Sequence, residues 1–129
     1  MIDLTEQDVE TIRGLADKHF KAVLDHDLDA FLSTCTDDII FLPPDQAVVE
    51  GRDACRAFLD EFPQPETFVG NVIDVEGQGD LAFSRGEADA KFPDGSTASF
   101  KFMHIYRRQS DGSWKMARDM WNMNAPASG

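Results

Sequence analysis

The residues best placed to do chemistry lie in the run Ala117-Arg118-Asp119-Met120-Trp121-Asn122-Met123-Asn124. Asp119 is a carboxylate in apolar company there, beside Met120 and Trp121. Burying a bare charge is expensive, so such a carboxylate must be hydrogen-bonded, paired or shifted in proton affinity. An acid of this kind in a pocket is suited to taking and returning protons. Strand parity groups Ala117, Asp119, Trp121 and Met123 on one face, and Met116, Arg118, Met120 and Asn122 on the other. Both faces are mixed. Spacing therefore leaves open whether Asp119 faces a pocket, a neighbouring base or solvent.

His104 shares a face with Phe100, Phe102 and Tyr106, which reads as a hydrogen-bonded packing residue before it reads as a catalyst. His19, beside Phe20, reads the same way, and His26 near a helix end is given no chemistry. Around residues 81–92 small residues alternate with large ones. Ala82, Ser84, Gly86, Ala88 and Ala90 form a face that lets a helix or sheet approach closely. Phe83, Arg85, Glu87 and Asp89 form the other, either a solvated ladder or a charged floor beneath a ligand. The histidines show no metal-ligand spacing, no Gly-x-Ser-x-Gly elbow occurs, and neither cysteine has an adjacent His. Gly77-Gln78-Gly79 lacks the further Gly and the helix of a phosphate loop. No metal and no cofactor is expected.

The elements that would hold these residues are legible in the spacing. Thr5 and Asp8 make an approximate capping box for a helix carrying Val9, Ile12, Ala16, Phe20 and Val23, ending near Asp25-His26. Asp27 caps a short second helix with Leu28, Phe31, Leu32 and Cys35 on one side. Ile39-Ile40-Phe41-Leu42 reads as a buried strand stopped by Pro43-Pro44, with Ala47-Val48-Val49 as a small hairpin partner. A third helix is expected from about Arg52 to Phe62, with Cys55, Phe58, Leu59 and Phe62 inward and Pro63 and Pro65 beyond its end. A meander follows, with strands over Thr67 to Glu76, Leu81 to Phe92, Thr97 to Arg108 and Trp114 to Met123, separated by turn formers. Helices first and antiparallel strands afterwards predict an α+β domain with helices on one face of a curved sheet.

A chain of 129 residues predicts one domain over residues 1–124, with a disordered tail at 125–129. Ten Phe against one Tyr fits a core lined with rings, some of which could wall a cavity. The net charge of −12 argues against nucleic acid and anionic membranes, which need clustered Lys and Arg. Arg107-Arg108, the one basic pair, reads as solvated at a strand end. Cys35 and Cys55 read as buried, reduced thiols. No signal-peptide pattern and no apolar run of the ~18 residues that span a bilayer is visible, so the expectation is a cytoplasmic protein.

Several segments together resemble the nuclear transport factor 2-like superfamily, nearest to its ketosteroid isomerase-like and SnoaL-like polyketide cyclase-like small domains. They are His26-Asp27-Leu28-Asp29-Ala30-Phe31, Thr36-Asp37-Asp38-Ile39-Ile40-Phe41-Leu42-Pro43-Pro44, Gly51-Arg52-Asp53-Ala54, Gly79-Asp80-Leu81-Ala82-Phe83 and the closing hairpin. The resemblance implies a cystatin-like cone: a curved antiparallel β-sheet wrapped around about three N-terminal helices, with an apolar open end. It also implies a homodimer through the sheet and a small apolar or aromatic metabolite as ligand.

Ketosteroid isomerase uses a Tyr and a protonated Asp as oxyanion donors and an Asp base. The resemblance carries these positions onto His19, Met103 and Pro43, all replaced, which removes that machinery. It places Asp119 and Trp121 on pocket-lining positions of the last strand and Arg85 and Glu87 on another, with Phe41, Phe58, Met103 and His104 completing the expected pocket. The function it implies is an isomerase, aldol cyclase or dehydratase. Asp119 would move a proton on a carbonyl-bearing substrate, and His19, Arg85 or His104 would steady the oxyanion. The alternative is a non-catalytic ligand-binding or dimerisation module of the same fold.

Overall fold

A computed structural model of the chain describes residues 3–125. The expected tail therefore lies, apart from Ala125, outside the described residues. The first helix, α1 (Glu6–Asp25), starts where the sequence places it. Thr5 accepts from the Asp8 N–H while the Asp8 side chain accepts from the Thr5 N–H, closing the capping box. His26 ends the helix in a left-handed conformation. Asp27 caps α2 (Leu28–Ser33) by accepting from the Ala30 N–H.

Cys35 does not belong to α2, as its helical spacing suggested. It opens β1 (Cys35–Leu42), which is longer than expected and ends before Pro43. Of the expected hairpin partner only Val49 pairs with β1, as part of β2 (Val49–Glu50). The third helix, α3 (Arg52–Glu61), buries Cys55, and Phe58 and Leu59 pack half-buried against the core. Both cysteines are free and buried, and burial pushes the Cys35 thiol up to about 12 and Cys55 up to about 11.

The remaining chain is a meander of β3 (Thr67–Gln78), β4 (Leu81–Lys91), β5 (Thr97–Arg108) and β6 (Trp114–Met123). The six strands form one curved sheet in the order β2-β1-β6-β5-β4-β3. The sheet is not wholly antiparallel: β1 runs parallel to β6, to which the chain returns only after β2, α3 and three further strands. This pairing makes β6 an interior strand, with both edges hydrogen-bonded.

One face of the sheet carries α1, which lies along β3 and buries Ile12, Ala16, His19 and Ala22. The small residues of β4 face this side, as their alternation predicted, and all five are buried. A Cβ on Gly70 would lie 2.5 Å from the ring of Phe20, so the bare backbone there is what lets the helix seat. At the far end of α1, Arg108 grips Asp8 with two hydrogen bonds (3.0 and 3.1 Å), pairs with Asp80 and stacks over Trp114. Arg108 is thus a tertiary clamp and not the solvated side chain its place beside a turn suggested. Arg107 does lie at the surface, paired with Asp38.

Candidate functional site

Alternation on β6 is broken by an extra residue. Tyr106 pairs with Met116 and Ile105 with Arg118, which leaves Ala117 as a bulge. Met116 and Ala117 are consequently both buried, and Met116 shares the inner side with Asp119 despite its opposite parity. This is why the sequence showed two mixed faces. Beyond the bulge, Asp119 and Trp121 point to the helix side of the sheet, into a cavity of about 90 Å³ that is open at one end.

Asp119 stands between two registered neighbours, Phe41 on β1 and His104 on β5. The His104 Nε2 lies 3.1 Å from Asp119 Oδ1, and both side chains are largely shielded from solvent. The contact is a charge pair at close range, and the ring faces the carboxylate without the alignment of a hydrogen bond. The other ring nitrogen of His104, Nδ1, bonds the Tyr106 hydroxyl at 3.3 Å. Burial raises the Tyr106 pKa and keeps its proton in place. Phe102 stacks on the His104 ring at 4.3 Å between centroids and fixes its plane. Asp119 Oδ2 has no hydrogen-bond partner among the described residues, and the residue lines the cavity. The arrangement is a carboxylate with one oxygen anchored and the other left for an incoming group.

His19 lines the same cavity from α1. Its Nε2 bonds the Thr34 hydroxyl, whose own hydrogen goes to the Phe31 carbonyl at 2.7 Å. Nε2 must therefore donate to Thr34. Burial, with His104 adding to it, holds His19 well below the usual histidine range, so its ring is neutral. With its one N–H engaged, His19 has none free for an oxyanion, which corrects the donor role expected of it. Its Nδ1 is buried without a partner among the described residues.

The structure brings together Asp119, His19, His104, Trp121, Phe41 and Phe58 around this cavity. It does not bring Arg85, Glu87 or Met103 there. These three line a groove of about 380 Å³ on the opposite face of the sheet. Arg85 is exposed and paired with Asp74 at 2.6 Å. The inner face of β4 is occupied by its small, buried residues, so the long charged side chains turn to solvent. On β5 the expected pocket position is out of step by one residue: Met103 is 44% exposed, and its neighbours Phe102 and His104 point inward.

Sequence reasoning missed the walls supplied by Phe20, Phe62, Phe68, Phe100 and Phe102. The signal for Phe100 and Phe102 was their shared parity with His104. Phe41, Phe58 and Trp121 meet edge to face at 5.6–6.0 Å, closing one side of the cavity with aromatic surface. Among the described residues no group of His, Cys, Asp and Glu is placed to hold a metal ion, and no helix is long and apolar enough to cross a membrane.

The sequence pattern of a family described as the SnoaL-like domain matches residues 16–117. No curated protein matches the chain. Among solved structures, a ketosteroid isomerase-like protein from Erwinia carotovora atroseptica SCRI1043 superposes with a TM-score of 0.84 at 20% identity, covering 95% of this chain and 100% of that one. An NTF2-like protein of unknown function from Pseudomonas putida KT2440 gives 0.78 at 22% identity, covering 92% and 88%. An NTF2-like protein with a cystatin-like fold from Novosphingobium aromaticivorans gives 0.78 at 18% identity, covering 95% and 85%. Likeness at this level of identity establishes the fold alone.

Proposed function

The chain belongs to the SnoaL-like domain family, and from that membership and the geometry around Asp119 we propose that it is a small-molecule enzyme of the isomerase, aldol cyclase or dehydratase type. Asp119 is the acid–base group. Its anchored Oδ1 holds the carboxylate in place, while Oδ2 takes a proton from carbon beside a carbonyl and returns it. His104 steadies the carboxylate through its Nε2 at 3.1 Å, and Tyr106 holds the other ring nitrogen at 3.3 Å. The substrate is a small apolar or aromatic metabolite, held by the surrounding phenyl rings. The observation that carries this reading is the half-free carboxylate of Asp119 in a cavity walled mainly by aromatic side chains.

Turnover of a panel of enolisable ketones by wild type and Asp119→Asn tests it. The substitution is expected to lower kcat by about 100-fold or more, with a smaller change in KM. Equal turnover by the two proteins would remove Asp119 from the chemistry. The apolar wall also suits a non-catalytic ligand carrier. That reading gains if a ligand co-purifies, survives Asp119→Asn in native mass spectrometry, and no panel compound turns over.

The protein is further proposed to act as a homodimer through the outer face of the sheet. Ile73, Leu81, Met103, Ile105 and Met120 leave an exposed apolar band there, between the charges of Arg85, Glu87 and Lys101. Opposite charges on one face allow a second copy, turned about a two-fold axis, to match it.

A further inference from the structure

We infer that the Asp119 cavity selects uncharged, single-ring molecules bearing a hydrogen-bond donor and turns away organic anions such as carboxylates. This rests on reading the cavity as a ligand site, and it specifies what that site accepts.

Three observations on the cavity wall lead to it. The first is charge. Among the described residues no Lys or Arg lines the cavity, and its only ionisable residues are His19, His104 and Asp119. Burial keeps His19 neutral, and His104 is already engaged with Asp119, its Nε2 lying 3.1 Å from Oδ1. An entering anion would meet a carboxylate with no unengaged cation to offset it. Like charges repel strongly where water is excluded, and the anion would also lose its own hydration. The cations Arg85 and Lys101 lie on the outer face of the sheet, beside a different groove. The net charge of −12 acts in the same direction over longer range.

The second observation is size. An apolar cavity of about 150 Å³ takes up benzene. One of about 90 Å³ therefore takes at most a single ring, part of it standing in the half-open mouth, and not a fused polycycle. The third is the unpartnered Oδ2 of Asp119. It is an acceptor in an apolar wall, and a phenolic O–H or an amide N–H satisfies it without bringing a charge. Phe20, Phe68 and Phe102 offer the ring surface against which such a molecule would lie.

Benzamide and benzoate test this directly, being close in shape and differing in charge at neutral pH. Binding to the full chain is followed by ligand-observed NMR and by the emission of Trp121, which lines the cavity; Trp114 is buried elsewhere against Asp8 and Arg108. Benzamide is expected to bind saturably and benzoate at least about tenfold more weakly, with Asp119→Asn narrowing the gap. Benzoate binding as tightly as benzamide would overturn the inference and leave the cavity a ligand site. An unchanged gap in Asp119→Asn would overturn the assignment of the selectivity to that charge. If neither compound binds, the ligand-site reading falls and this inference with it. The wild-type comparison decides between these outcomes even if Asp119→Asn does not fold.

Discussion

At the residue scale, the site depends on the partner of Asp119. The carboxylate is tolerable in an aromatic wall because His104 sits directly across the ladder with its Nε2 3.1 Å away. Removing that partner leaves a shielded charge without compensation. His104→Leu is therefore expected to lower stability by about 3 kcal/mol in urea unfolding. Substituting both His104 and Asp119 with Leu should cost clearly less than the two single changes added together, because it removes the demand along with the supply. A His104→Leu variant as stable as wild type would mean that the pair is not desolvated. The sequence pointed to Asp119 and to His104 separately. It gave no sign that they meet, since a contact between adjacent strands follows from register, and register here includes a bulge at Ala117 that spacing alone does not reveal.

At the scale of elements, α1 must stay docked for His19 and Phe20 to remain in the cavity wall. Its start is held by Asp8, which serves the capping box, Arg108 and the indole of Trp114 together. Arg108 first, then the Thr5 N–H and Trp114, hold the Asp8 carboxyl well below the usual carboxylate range. Because its folded-state pKa lies below the unfolded one, ionised Asp8 stabilises the fold at neutral pH. That contribution begins to fade as pH falls past the ordinary carboxylate value of about 4 and is gone below the folded-state value. Asp8→Asn is expected to cost about 2 kcal/mol at neutral pH, with the difference from wild type shrinking in acid. Thermal melts across that range check it, and a difference that stayed constant with pH would contradict the linkage. The capping box was readable from Thr5 and Asp8. The clamp was not, because Arg108 lies 100 residues away in sequence and reaches Asp8 only once β5 is placed beside α1.

At the scale of the whole molecule, the outer sheet face and the strong negative charge act together. The proposed dimer buries the apolar band around Met103 while bringing two acidic copies close. Met103→Lys is expected to shift sedimentation velocity towards the monomer, because it places a charge in the middle of that band. Self-association of wild type should strengthen as salt rises from about 0.01 to 0.15 M, as screening relieves the repulsion between copies. A monomer at every concentration and salt would remove the proposal. Association weakening with salt would instead mean that Arg85, Glu87 and Lys101 make the dominant contacts.

Local chemistry alone determined the helices with their caps, the meander of four long strands, the alternating face of β4 and the isolation of Asp119 among apolar residues. Each depends on neighbours within a few positions, where periodicity and capping act directly. The tertiary structure decided the rest. The parallel return of β1 to β6 made β6 an interior strand, and the bulge at Ala117 set which side chains face inward. Together they put Asp119 against His104 and sent Arg85, Glu87 and Met103 to the far side. Which residues meet in this site is fixed by strand register and by the packing of α1 on one face of the sheet. Both are long-range interactions that local spacing does not encode.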